Sequence, residues 1–487
     1  MNGEMTAIHA KKPAIHAKKP ARIKTPSTPI VNRVLLARII FIVTVVVLLL
    51  FGLMMVYSAS SIIALREKGD AAFYFIKQIQ FVGLGLVVAV ILAFINYRRL
   101  NGVLSWLIWG LVVALLIYTL IDGFINSGAQ RWIEIAGFNL QPGELAKIAM
   151  LLVCTHLITK LHESGSSNVL LAAAACGVFI PVLLLLAQPD LGTAVIALVG
   201  VIIVMWLGGI PFRFVLTAVG ILIVLGAFAI AIEGFRQSRF LSFLDPWASP
   251  LEDGYQVINS FYAFAEGGIL GVGIGQSHQK FFYLPEAQND FIFAIIGEEL
   301  GLIGALATAI LFLVLVFSAL MIARNAPDVR GRMLAGTAAA LIGFQAFLNM
   351  MCVIGWAPIT GKPLPFISAG GTSMISSMIL VGLILSVSFH TDAREAAVRR
   401  RDNLVIIDGG RQAKQAAKPA GSPAARPAMG STMRSGAIQP QPAPNQPQPR
   451  RNPSAAPLSL SSLSRNRTGF VSRNRADVSE NNRRNDS

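Results

Sequence analysis

Ten runs of about twenty apolar residues, at 37–57, 79–97, 103–121, 144–160, 169–187, 191–209, 212–232, 300–323, 333–354 and 367–389, constrain this chain more than any other feature. Each is near the ~20 residues a helix needs to cross the hydrocarbon layer. Lipid offers the backbone no hydrogen bonds, so runs of this kind must satisfy their own amides. The expected fold is all-α: a polytopic membrane protein with about ten transmembrane helices. The charge content agrees. Only 14% of residues are charged, where a soluble globular domain is nearer a quarter.

The net charge of +16 would suggest nucleic acid if it were spread over a folded surface. It is not spread. Residues 1–38 carry +7 and residues 391–487 carry +10, which leaves the core at −1. Basic tails on one side of an even number of spans mark the cytoplasmic side, so both termini are expected there and no nucleic-acid partner follows. Arg98, Arg99, Arg213, Arg324, Arg330 and Arg332 fall in connections on that same side. The tail 1–34 is basic and Pro-rich, the tail 391–487 is rich in Pro, Gln, Ala, Ser and Arg, and neither should fold alone. The membrane domain is 35–390, with 233–299 as a large extracytoplasmic loop between spans 7 and 8. No cleavable signal peptide is expected, because the first apolar run starts late and is too long. Cys154, Cys176 and Cys352 lie in apolar segments without paired spacing and are expected to pack as small hydrophobes.

Four stretches at the outer ends of spans carry ionisable groups, and such groups mark functional sites by default. The first is Gln130-Arg131-Trp132, followed by Gln141-Pro142-Gly143-Glu144-Leu145-Ala146-Lys147. Pro142 is suited to open a helix, and Glu144 and Lys147, three apart, share a helix face and can pair. The second is Gln188-Pro189-Asp190-Leu191-Gly192-Thr193, where Asp190 is placed to cap the next helix. The third runs from Lys280 through Leu284-Pro285-Glu286-Ala287-Gln288-Asn289-Asp290-Phe291 to Glu298-Glu299. Glu286 and Asp290 are four apart, so a helical turn would put both on one face, and a carboxylate beside apolar residues is a plausible general base. The fourth is Gly361-Lys362-Pro363-Leu364-Pro365, leading to Ser368-Ala369-Gly370-Gly371-Thr372-Ser373. Together they offer Arg131, Lys147, Lys280 and Lys362 beside Glu144, Asp190, Glu286 and Asp290. Cations facing a membrane cavity suit a lipid diphosphate, and a carboxylate among them suits deprotonation of a sugar hydroxyl.

In these motifs, taken in order, residues 35–390 resemble the SEDS family (shape, elongation, division and sporulation), which includes FtsW, RodA and SpoVE. The resemblance implies a ten-span peptidoglycan glycosyltransferase that polymerises lipid II at the outer face of the cytoplasmic membrane. It implies Asp290 as the catalytic residue, with Arg131 and Lys362 matching family positions. A class B penicillin-binding protein and other divisome proteins are the implied partners. Leu284-Pro-Glu-Ala and the Gly297-Glu-Glu stretch look more like the division member, so placement at the septum is expected. Two departures stand out. Gln288-Asn289 replaces the family's usual His-Thr, and Gly143 stands where Ser or Ala is usual. Arg131, Lys147, Lys280 and Lys362, with or without a divalent cation (Mg or Mn), are expected to neutralise the leaving diphosphate. Glu298 and Glu299 are expected to set the electrostatics of Asp290. An elongation-type polymerase, a lipid II flippase and a scaffold for the partner transpeptidase are the alternatives.

Overall fold

The computed structural model describes residues 29–100, 102–126, 129–135, 138–165, 168–232, 240–252 and 254–391. Most of the expected tails, 1–34 and 391–487, therefore lie outside the described residues. The chain divides into a unit at 1–417 and one at 418–487, and only the first contains described residues.

Ten long helices are described: α1 (Pro29–Lys68), α2 (Phe73–Phe94), α3 (Val103–Asp122), α4 (Pro142–Ser164), α5 (Asn168–Ala187), α6 (Leu191–Leu207), α7 (Phe212–Ile232), α9 (Ile292–Arg324), α10 (Val329–Val353) and α11 (Gly371–Thr391). Each overlaps one apolar run. Seven of them, α1 to α4 and α9 to α11, are long and apolar enough to cross a membrane. The shorter α8 (Tyr255–Gly267) lies in the 233–299 segment. Asp245 folds the start of that segment, its side chain accepting from the Trp247 amide at 3.1 Å.

The structure departs from an all-α reading at one point. Between α3 and α4 lies a three-stranded antiparallel sheet, β1 (Phe124–Asn126), β2 (Ala129–Ile135) and β3 (Phe138–Leu140), in the order β1-β2-β3. Strands this short carry little periodic signal. Arg131, expected among the diphosphate-binding cations, and Trp132 are strand residues of β2.

Position in the bundle follows composition. α4, α10 and α11 are the most enclosed of the seven, and they carry the Ser, Thr, Asn and Gln that hydrogen-bond between helices. Helix α1 presents Leu35, Leu36, Ile39, Val43 and Leu50 outward, where lipid solvates them. One apolar core runs from Phe41 and Leu48 of α1 through Phe291–Ile296 to Leu341 and Ile384. Cys154 and Cys352 are buried, as expected of small hydrophobes. Cys176 is exposed, because it lies on an outward face of α5.

Helix α9 is broken at Gly301, whose φ of 66° is left-handed. Carbonyls and amides released by the kink are satisfied by the preceding loop, as buried backbone groups must be. Val272 and Gly273 donate to the carbonyls of Glu298 and Glu299, and Leu302 donates to the carbonyl of Gly268. The loop 268–291 is thereby laid against the first turns of α9.

Candidate active site

Pro142 occupies the first turn of α4, so Glu144 and Lys147 follow one another up the buried face. Lys147 Nζ donates to Glu144 Oε2 at 2.7 Å and to Gln345 Oε1 of α10 at 2.6 Å. Asp190 caps α6 as its position predicts, accepting from the Thr193 amide at 3.2 Å and the Thr193 hydroxyl at 2.8 Å. Its carboxylate also accepts from Gln141 Nε2 at 2.9 Å. Lys362 reaches it from the loop before α11, with Nζ 2.9 and 3.0 Å from the two carboxylate oxygens. The same Nζ is 4.0 Å from Glu144 Oε1. Glu144, Lys147, Asp190 and Lys362 are all almost wholly buried.

Burial alone would push the Asp190 carboxyl up. The Lys362 ammonium beside it, then Arg131, outweigh that and hold it at about 2. Such an arrangement is stable only as a complete set, because a buried ion without its partner carries its full desolvation cost. Two polar atoms of the set have no hydrogen-bond partner, Glu144 Oε1 and Arg131 Nε. Unsatisfied buried polar atoms call for an explanation, and a ligand entering the site would supply one.

Asp290 lies at the end of a chain of turns, half-buried, just ahead of α9. Phe282 and Glu286 have φ of 68° and 56°, and this left-handed backbone interrupts any helix. The expectation that one helical turn places Glu286 and Asp290 on a common face is therefore corrected. Glu286 is exposed and accepts from Asn289 Nδ2. The Asp290 backbone is tied to α10. Asn349 of α10 is 2% exposed, and its Nδ2 donates to the Asp290 carbonyl at 2.7 Å and to the Lys362 carbonyl at 2.8 Å. One carboxamide thus ties the Asp290 loop to the Lys362 loop. A second tie joins the Ala369 amide to the Gln288 carbonyl at 2.9 Å. The sheet joins the same assembly, since Thr372 Oγ1 accepts from the Gln141 amide and donates to the Asn139 carbonyl.

Lys280 has other partners. It is buried, 3.2 Å from Glu299 Oε1, and Glu299 in turn accepts from Ser58 of α1 at 2.6 and 2.7 Å. Glu298 accepts from the Ser277 hydroxyl and from the amides of His278 and Gln279. Both glutamates are engaged with the loop 275–280 and α1, where the sequence reading placed them around Asp290. The structure thus gathers Glu144, Lys147, Asp190 and Lys362 into one network, with Arg131 within electrostatic reach and the Asp290 backbone tied to its rim. Lys280 and Glu286 are bonded elsewhere. Gln345 and Asn349 escaped the sequence reading. Their signal was two carboxamides four apart on one face of an apolar span, which is costly unless they are used.

Among the described residues, the one group of three His, Cys, Asp or Glu side chains placed to hold a metal ion is Glu266, His278 and Glu298.

A family model described as "Cell cycle protein", covering FtsW, RodA and SpoVE, matches residues 38–393. The probable peptidoglycan glycosyltransferase FtsW of Geobacter metallireducens is 38% identical over 357 residues, covering 72% of this chain and 94% of that protein. Stage V sporulation protein E of Bacillus subtilis is 35% identical over 363 residues, covering 72% of this chain and 97% of that one. Among solved structures, a chain of a peptidoglycan synthase complex that coordinates polymerization and crosslinking superposes with a TM-score of 0.58 at 29% identity, over 72% of this chain and 97% of that one. The rod shape determining protein RodA of Thermus thermophilus gives 0.53 at 28% identity, over 72% and 95%. Helix order, the gathered motifs and these likenesses agree: the chain belongs to the FtsW/RodA/SpoVE family of cell cycle proteins.

Proposed function

We propose that this chain is a peptidoglycan glycosyltransferase that polymerises lipid II, with Asp290 as general base. The observation that carries the reading is the Asn349 clamp, which fixes the base-bearing loop against a buried network of cations. In the reaction, Asp290 takes the proton from the 4-hydroxyl of the acceptor's N-acetylglucosamine. That oxygen forms a bond to the anomeric carbon of the donor's N-acetylmuramic acid. The bond from that carbon to the diphosphate breaks, undecaprenyl diphosphate leaves with the electron pair, and the centre inverts. Negative charge grows on the leaving oxygen, and a preorganised cationic environment stabilises it at that moment. Arg131 and Lys362 supply that environment, while Glu144 and Asp190 keep the lysines in place when no substrate is bound.

The name FtsW on the relatives favours division over elongation. The likeness to a synthase complex supports a class B penicillin-binding protein as partner, packed on the outer helices. Positive-inside logic puts the tails in the cytoplasm and the Asp290 site outside. Purified Asp290→Asn supplied with lipid II is expected to make no polymer while remaining folded. Chains of normal length from that variant would end the reading, and transbilayer movement of labelled lipid II without polymer would replace it with transport.

A further inference from the structure

Helix α8 ends on an acid, Glu266, in its last turn. A negative charge there opposes the helix dipole, which favours cations at a C-terminus. Glu266 does not stand alone. Gly267, the next residue, lies so close to α9 that a Cβ on it would sit 2.1 Å from the Gly297 carbonyl oxygen and 2.8 Å from Glu298 Cα. That approach brings a second carboxylate, Glu298, beside the first. His278 completes the group, with Nδ1 3.0 Å from Glu266 Oε2. One ligand atom from each of the three residues lies within 4.8 Å of the others.

The three members differ in exposure. The Glu266 and His278 side chains are 40% and 72% exposed, whereas Glu298 is wholly buried. No lysine or arginine pairs with Glu298 among the described residues. Its neighbour Glu299 takes Lys280, and Glu298 has only the Ser277 hydroxyl and two backbone amides. A buried carboxylate without a cation is expensive, and a second carboxylate at its side makes it more so. Three donors also leave one of its roughly four lone-pair positions unused. One divalent cation would supply the counter-charge that Glu298 lacks and relieve its repulsion with Glu266.

We propose that Glu266, His278 and Glu298 bind a first-row divalent cation, Mn2+ or Zn2+. One imidazole nitrogen with two carboxylate oxygens suits these ions better than the all-oxygen shells of Mg2+ or Ca2+. The site fastens α8 and the loop 277–280 to the start of α9, and the stretch beyond that loop ends in Asp290. It is a fastening for the base-bearing loop, away from the base itself. A divalent requirement in this chain would then reflect loop order, with the cation remote from the diphosphate.

The test is Mn2+ titration of the full chain in lipid nanodiscs after chelator treatment, read by electron paramagnetic resonance. The expected result is one Mn2+ per chain, displaced by Zn2+, with nitrogen coupling from a bound imidazole. His278→Ala and Glu266→Gln, both at exposed side chains, should weaken binding by at least about tenfold, whereas Asp290→Asn should bind as the unaltered chain does. Equal binding by all variants, no bound ion, or loss of the ion in Asp290→Asn alone would overturn the proposal. Should either exposed-site variant fail to fold, the nitrogen coupling in the unaltered chain decides: its absence also overturns the site.

Discussion

Replacing Lys362 with Met removes one ammonium from a buried site. In the intact chain Asp190 is held at about 2, against ~3.9 for an ordinary aspartate. That gap corresponds to stability on the order of 2–3 kcal/mol at neutral pH. The sign is that of a depressed carboxylate: the contribution is full above the ordinary value and is lost as pH falls toward 2. In Lys362→Met burial acts on Asp190 with its main counter-charge gone, and Glu144 loses the cation 4.0 Å away. Breaking a buried pair from one side typically costs about 3–5 kcal/mol. The pH dependence should also invert. Asp190 now folds most easily when protonated, so acidification from pH 7 toward 4 should stabilise the variant, while the unaltered chain is flat over that range or weakens. Thermal unfolding in detergent, followed by intrinsic fluorescence at several pH values, reads both effects. Lys362→Met/Asp190→Asn should recover most of the loss, because the uncompensated charge has gone with its partner. A single variant as stable as the unaltered chain, with the same pH profile, would refute the claim that this pair is buried and ionised.

Three other outcomes follow from the same geometry. Asn349→Ala removes both ties of the clamp and should lower the lipid II polymerisation rate by about 100-fold, the order expected for a displaced catalytic group, with KM changed much less; equal losses in both would point to a general structural defect. Lys280→Met leaves Glu299 buried with only Ser58 and should lower the unfolding temperature, whereas Lys280→Met/Glu299→Gln should restore much of it. At the opposite end of the bundle, Asp328 is held below the usual carboxylate range: burial opposes this, but the Gly331 amide, Arg98 and Tyr97 prevail. Its stabilisation is present at neutral pH and lost on acidification, so Asp328→Asn should lower stability at pH 7 and shrink the difference from the unaltered chain near pH 3.

The parts of this molecule that were legible in the sequence are those whose physics is local. A run of twenty apolar residues has one way to satisfy its backbone in lipid, so the helices could be placed from composition. The pairing of Glu144 with Lys147 and the capping by Asp190 depend on spacing of three residues, and the structure contains both. Relations over long separations were not legible. Nothing near Asn349 signals that its carboxamide bridges residues 290 and 362. Nothing near Lys280 signals that Glu299 and the Gly275 carbonyl have claimed it, so a cation in a motif of acids reads from sequence as part of the phosphate side. The turn at Glu286 failed for another reason. A spacing of four implies a common face only if every residue between is helical, and a left-handed φ at Glu286 removes that condition.

The two buried ionic groups answer different needs. Around Lys362 the charges are matched almost one for one, yet Glu144 Oε1 and Arg131 Nε remain without hydrogen bonds. On the proposed reading, an entering diphosphate would take the unused Arg131 donor and compete with the carboxylates for the lysines. Around Glu298 and Glu299 nothing is arranged for exchange. Glu299 is closed by Lys280 and Ser58, and Glu298 is held by three donors from the loop beside it, with one position left for the proposed cation. Hydrogen bonds of that kind fix register, since each is lost if the loop slips by one residue. The loop that ends in Asp290 is fastened to the first turns of α9 through Val272 and Gly273 and to α10 through Asn349. With Asp290 as the proposed base, these ties would keep its aim while the cations of the Lys362 network change partners, which is what a repeated addition of sugar units to a growing chain requires.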